Sequence, residues 1–264
     1  MMTCRQYDEF FKQSLESILV QSYQEFEIII VVESDYEIFK DIIESSFLNY
    51  LNKIKLFKVS VKGFCFCINY GINEASGKYI ARMDSDDISA PDRFGLQINF
   101  LQNNPDYAVV GSRAKAIDSL GNILDDVHLK FYQSNFSIKS TLPYRNPLYH
   151  SSLMIRKEMF SIKGGYKYDF FAQDHEMWIR WSLDDNIKFF NIDKVLYFYR
   201  RYEGQETNIK NAKRAYYEIS GFLYKFFLQT KNLKFIFGIF VVHPFTRWVL
   251  FYIHRLMKFI LRER

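Results

Sequence analysis

Three carboxylates fall within four consecutive residues at Asp84-Ser85-Asp86-Asp87. Alternation along an extended segment puts Asp84 and Asp86 on the same side, and carboxylates so placed can hold a divalent ion against a diphosphate leaving group. The run reads equally well as a solvated acidic turn that caps a helix beginning near Pro91. Two further acids stand at positions suited to chemistry. Glu33 closes the apolar run that ends Ile30-Val31-Val32, and Asp174 lies near the start of a helical stretch, where negative charge is favoured. A carboxylate within hydrogen-bond reach can take a proton from a hydroxyl as that hydroxyl attacks. An Asp at such a position is more commonly a helix cap.

The elements that must carry these acids follow from the periodicity. Residues 8–23 place apolar groups at 10, 11, 15, 18 and 19, a helical spacing, and residues 26–32 form a β-branched run of strand length. A helix is predicted over 36–51, a strand over 54–61, a short helix over 69–76, and a strand over 79–83 that delivers Asp84 at its end. Beyond it come a helix at about 91–103, a strand at 108–111, a polar region to about 145 and a helix over 172–183. The alternation predicts an α/β fold. Ligands of open parallel sheets bind outside the carboxyl ends of the strands, so Glu33 and Asp84 are expected to face one crevice. No internal repeat or low-complexity linker divides the body.

Composition narrows the class. The chain has 264 residues and is 48% hydrophobic, enough to bury a core. Its net charge is +5, yet residues 231–264 alone hold seven Lys/Arg against one acid, Glu263, leaving the body near neutral. Charge confined to one terminus argues against a nucleic-acid binder, which spreads it over a recognition face. Cys4, Cys65 and Cys67 provide no disulfide framework, and a reducing compartment fits best. The first residues show no basic segment followed by an apolar one, so the catalytic part is expected in the cytoplasm.

From Lys62 to Gly111 the sequence resembles the bacterial family 2 glycosyltransferases. The carrying residues are Asn69-Tyr70-Gly71, Ala75-Ser76-Gly77, the strand Tyr79-Ile80-Ala81-Arg82-Met83, Asp84-Ser85-Asp86-Asp87, then Pro91-Asp92-Arg93-Phe94 and Gln97. Upstream, Ser17-Ile18-Leu19-Val20-Gln21-Ser22-Tyr23 and Phe26-Glu27-Ile28-Ile29-Ile30-Val31-Val32-Glu33 fit the same pattern. Downstream, Asn146-Pro147-Leu148-Tyr149-His150-Ser151-Ser152, Gly164-Gly165-Tyr166 and Gln173-Asp174-His175-Glu176-Met177-Trp178 fit as well. The resemblance implies the GT-A fold, a Rossmann-like open mixed sheet flanked by helices, and an inverting transfer from a nucleotide-sugar donor. It places Glu33 at the nucleotide base, Asp84 and Asp86 at the nucleotide sugar, Asp86 on a Mn²⁺ or Mg²⁺ ion, and Asp174 as the catalytic base. The implied donor is a UDP-hexose or UDP-N-acetylhexosamine. Lys62 and Asn69 are candidates for the donor pocket and equally for a solvated lysine and a helix cap; His150 is a candidate for the sugar or acceptor pocket and at least equally for a satisfied structural histidine.

Three departures stand out. Where relatives read Tyr-Arg-x-His the chain reads Tyr199-Arg200-Arg201-Tyr202, Gln173 replaces the usual Glu before the base, and most of the family's first strand is missing. Either the true start lies upstream or the sheet has lost a strand; a lost strand would expose a sheet edge and leave a catalytically silent, membrane-associated interaction protein, the competing reading. The tail has its own pattern. Its longest uncharged apolar run, 235–242, is too short to cross a bilayer, which takes about 20 apolar residues. Beyond Pro244 a helical projection gathers Arg247, His254, Arg255, Lys258 and Arg262 opposite Trp248, Val249, Tyr252, Ile253, Leu256, Phe259 and Ile260, as in an interfacial helix, the alternative being a C-terminal helix packed on the domain or in a dimer with its charges in water. The chain is thus expected to divide into a catalytic domain at 1–215 and a helical, basic-aromatic, membrane-associating tail at 216–264. Its expected place is the inner face of the cytoplasmic membrane, and its expected acceptor a saccharide or lipid-linked precursor of a surface polysaccharide or lipopolysaccharide.

Overall fold

A computed structural model describes residues 1–125, 129–202, 212–243 and 246. In chain order the first half contains β1 (Met2–Cys4), α1 (Phe11–Leu19), β2 (Ile28–Val32), α2 (Tyr36–Ser46), β3 (Ile54–Lys58), α3 (Phe64–Glu74), β4 (Tyr79–Ala81), β5 (Met83–Asp84), β6 (Ile88–Ser89) and α4 (Arg93–Asn103). The second half contains β7 (Tyr107–Ile117), α5 (Asn135–Thr141), β8 (Met154–Arg156), α6 (Glu158–Lys163), α7 (Gln173–Ser182), β9 (Lys188–Arg200), α8 (Ala212–Thr230) and α9 (Leu233–Val242).

Strands β3-β2-β1-β5 form a parallel sheet, and β4-β8-β7-β9-β6 form a mixed one. Every residue of β2 is buried, as a strand covered on both faces must be. Its alternate side chains feed two cores. Ile28, Ile30 and Val32 pack with Phe11, Leu15, Phe39 and Phe94 from α1, α2 and α4, whereas Ile29 and Val31 pack with Ile68, Ile72, Trp178 and Trp181 from α3 and α7.

The first strand is short but occupies the interior of its sheet, with Met2 opposite both Ile30 and Met83. The edges of that sheet are β3 and β5, so no edge opens at β1. The segment 79–83, expected as one strand, is divided between the two sheets at Arg82, whose amide donates to Leu153 O at 2.8 Å while Met83 N turns to Met1 O at 3.1 Å. Strand β9 was not expected. Its apolar pattern is interrupted by Asp193 and Lys194, which a register shift against β7 pushes out of the ladder between Ile192 and Val195. The expelled Asp193 pairs with Arg113, and Lys194 reaches Asp92 at 2.9 Å.

Helices α8 and α9 pack on the domain rather than away from it, through Phe222, Leu223, Phe226 and Phe235. Gly238 is the closest point of approach. A Cβ there would lie 2.0 Å from the Pro143 carbonyl oxygen, a backbone atom that cannot step aside. Gly238→Ala is expected to cost about 1–3 kcal/mol by overpacking, read as a lowered Tm; an unchanged Tm would show that α9 does not seat there. The amphipathic helix expected beyond Pro244 lies outside the described residues.

Candidate active site

The parallel sheet sends the ends of β1, β2 and β5 to one side, and the expected acids gather there. Asp84 closes β5. Its Oδ1 accepts from Arg82 Nη2 at 2.6 Å and its Oδ2 from the Ser151 hydroxyl. Burial works against its ionisation, yet the adjacent Arg82 guanidinium and the Ser151 hydroxyl hold the carboxyl below its ordinary range. Arg82 is itself fully buried and lies 5.5 Å from the Phe64 ring centroid, so this ion pair is fixed in place rather than a surface encounter.

Asp87 turns inward. It is fully buried, accepting from Tyr197 Oη at 2.7 Å and from Arg200 N at 2.7 Å. Burial, and then the charges of Asp86 and Asp84, push its carboxyl well above the ordinary value. Its contacts fasten the end of β9 to the acidic turn. Arg200 completes that joint, donating from Nε to Asp86 O at 2.7 Å and from Nη2 to Gln13 Oε1 at 2.9 Å.

Asp86 is the carboxylate left open. Its Oδ2 accepts from Tyr202 Oη at 3.2 Å. Burial, then the charges of Asp84 and Asp8, push it up to about 6. Negative charge thus accumulates around Asp86, which forms no ion pair among the described residues, the electrostatic setting that favours a divalent ion. Among the described residues no three His, Cys, Asp or Glu side chains gather to cage a metal. The donor set fits an ion taken by one carboxylate and completed by phosphate oxygens and water, the manner in which Mg²⁺ is commonly held. Tyr202, standing where the resemblance led to a histidine, faces this carboxylate and leans on Phe10 with ring centroids 4.9 Å apart.

Glu33, just past β2, accepts at Oε1 from Gly63 N at 3.1 Å and lines a cleft of about 470 Å³ with Arg5, Gln6, Ser34, Lys62 and Asp169. Lys62 therefore borders the cleft. Asn69 does not. Its amide is consumed by Tyr166, donating to O at 2.7 Å and accepting from N at 3.1 Å, so it pins the 164–166 loop to α3.

Asp174 stands in the first turn of α7. Its Oδ1 accepts from His175 N at 2.8 Å and its Oδ2 from Asn146 Nδ2 at 2.6 Å. Asp174 is not the helix cap, that position being Ala172; its first contact is to the adjacent amide and its second reaches across the fold and orients the carboxyl. Burial pushes Asp174 up to about 6 against both hydrogen bonds. A carboxyl with that affinity is ionised at neutral pH yet basic enough to receive a proton. His150 contacts Tyr166 Oη at 2.5 Å, and burial pushes its imidazole down to about 3, keeping it neutral. Sequence reasoning missed Arg82, Asn146 and Tyr197. Arg82 carried a signal as a lone cation inside an apolar strand and Asn146 as the first residue of a segment that fits the resemblance, whereas Tyr197 carried none.

With this geometry in hand, the comparisons with known proteins are informative. Residues 1–162 match the family described as Glycosyl transferase family 2. The O-antigen biosynthesis glycosyltransferase WbnJ of Escherichia coli is 29% identical over 237 residues, covering 88% of this chain and 89% of its own length. The structure of S. aureus TarS 1-349 in complex with UDP-GlcNAc superposes with a TM-score of 0.66 at 15% identity over 86% of this chain, which spans 65% of that one. The mannosyltransferase PcManGT from Pyrobaculum calidifontis, in complex with GDP-Man and Mn²⁺, gives 0.67 at 13% identity over 94% of this chain and 70% of its own.

Proposed function

The chain belongs to glycosyl transferase family 2 and is a glycosyltransferase of GT-A fold, and from that premise we propose that it moves a hexose or N-acetylhexosamine from a UDP-sugar, with inversion, onto a saccharide acceptor. The acceptor is a precursor of a surface polysaccharide or lipopolysaccharide, met at the inner face of the cytoplasmic membrane. The observation that carries this reading is the division of the carboxylates: Asp86 forms no ion pair among the described residues, while Asp174 is half-buried, oriented by Asn146 and basic. The relatives' printed names and ligands support the donor and acceptor classes.

In this mechanism Glu33 accepts from the imide N–H of the base, and Asp84, kept ionised by Arg82, accepts from a hydroxyl of the donor. Asp86 would hold a Mn²⁺ or Mg²⁺ ion, which supplies neutralisation of the diphosphate. Asp174 takes the proton of the acceptor hydroxyl while the oxygen attacks the anomeric carbon. The bond to the diphosphate breaks on the opposite face, and an α-linked donor yields a β product.

The test is a pH profile of transfer. Asp174 must be ionised to act, and its affinity lies at about 6, so at saturating Mn²⁺, which keeps Asp86 ionised, kcat/KM is expected to be flat above that pH and to fall about tenfold per unit below it. A profile that stays flat down to the ordinary carboxylate range would exclude Asp174 as the base. Calorimetry with UDP and Mn²⁺ separately distinguishes a donor-binding enzyme from a silent relative, which would bind neither.

A further inference from the structure

The face of α9 that points away from the domain is as apolar as the face that packs on it. Phe235, Gly238 and Val242 are buried, whereas Leu233, Phe237 and Phe240 recur at helical spacing with 62%, 61% and 62% of their surfaces exposed. A helix apolar on both sides has a second partner. Lys231 and Lys234, both exposed, stand at its start. Along α8, Tyr217, Tyr224 and Leu228 are exposed at the same kind of spacing.

Charge identifies the partner. From Ile219 through Leu261 the sequence contains no Asp or Glu at all, while it carries Lys225, Lys231, Lys234, Arg247, Arg255 and Lys258. Lys225 is already paired with Glu176 at 3.7 Å, whereas Lys231 and Lys234 pair with no acid among the described residues, so a second copy seated on the α9 face would set these lysines against each other. An anionic lipid surface answers Lys231 and Lys234, and its headgroup boundary accepts phenylalanine and leucine side chains beside lysines. We infer that the outer face of α9, with Leu233, Phe237 and Phe240 as its apolar contacts and Lys231 and Lys234 as its charged ones, docks this enzyme on an anionic membrane. Because Phe235 packs on Phe226 of α8 with ring centroids 5.8 Å apart and Gly238 abuts the Pro143 carbonyl of the domain, docking fixes the catalytic domain against the bilayer rather than on a loose tether. Among the described residues no helix is long and apolar enough to cross a membrane.

This inference deepens the location given above and is tested without any donor, so its failure leaves the sugar-transfer reading standing. The full-length protein is sedimented with vesicles of phosphatidylcholine alone or mixed with phosphatidylglycerol. Binding is expected only to the mixed vesicles. It should fall roughly tenfold or more in F237S/F240S and by a similar factor in K231Q/K234Q, with transfer to a soluble acceptor unchanged. The substituted positions are exposed, and an unaltered Tm verifies folding. Full vesicle binding in F237S/F240S would overturn the assignment by locating the contact elsewhere. A parent dimer that these substitutions dissociate, with no vesicle binding, would overturn it in favour of a self-interface.

Discussion

Asp174→Asn is expected to bind donor as tightly as the parent while turning over about 10²–10⁴-fold more slowly, the usual worth of a positioned general base. The substitution keeps the size of the side chain and one oxygen to accept from His175 N or Asn146 Nδ2. What disappears is the capacity to take a proton. Folding is not expected to suffer. A carboxyl whose affinity is raised from an ordinary 3.8 to about 6 in the fold favours its neutral form there, so stability falls as pH rises from about 4 to about 6 and stays reduced above. Removing the charge therefore leaves the neutral-pH protein at least as stable. Single-turnover rates, donor calorimetry and Tm, measured together, decide the matter. Turnover within a few-fold of the parent would remove Asp174 from the reaction.

Much of the scaffold was legible because it is written locally. The run Ile28-Ile29-Ile30-Val31-Val32 admits little except a strand covered on both faces, and helices α1, α4 and α7 follow from apolar spacing alone. The position of the acids was legible too, since parallel strands send their ends to one side. Their individual duties were not. Asp84, Asp86 and Asp87 look alike in the sequence, and what separates them is which distant group each one meets: Arg82 and Ser151, Tyr202, or Tyr197 and the Arg200 amide. Those partners, apart from Arg82, lie some 67 to 116 residues away, a separation that periodicity cannot bridge. Strand β9 was hidden for a related reason. The charged pair that disrupts its pattern is tolerable only because a bulge against β7 expels it, and a bulge is a property of two strands.

The same division of duties makes Asp86 the position where stability and activity oppose each other. Its affinity, raised to about 6 by burial and by the charges of Asp84 and Asp8, means that the ionised form needed for metal binding is disfavoured in the protein alone. By the same sign argument, the metal-free protein loses stability as pH rises from about 4 to about 6. Asp86→Asn is therefore expected to raise the metal-free Tm at neutral pH by a few degrees. It should also abolish the dependence of UDP binding on Mn²⁺ and lower kcat/KM by about 10²–10³-fold, the scale of losing one preorganised charge contact to a transition state. Mn²⁺ with UDP should stabilise the parent and not the variant. Asp84 is not expected to substitute, because its charge is already balanced by the adjacent Arg82 guanidinium, nor Asp87, which is fully buried and holds β9. If Asp86→Asn retained metal-dependent UDP binding, the open carboxylate would have to be assigned elsewhere. If it lowered the metal-free Tm instead, Asp86 would be stabilising the fold, and the electrostatic reading of this turn would be wrong.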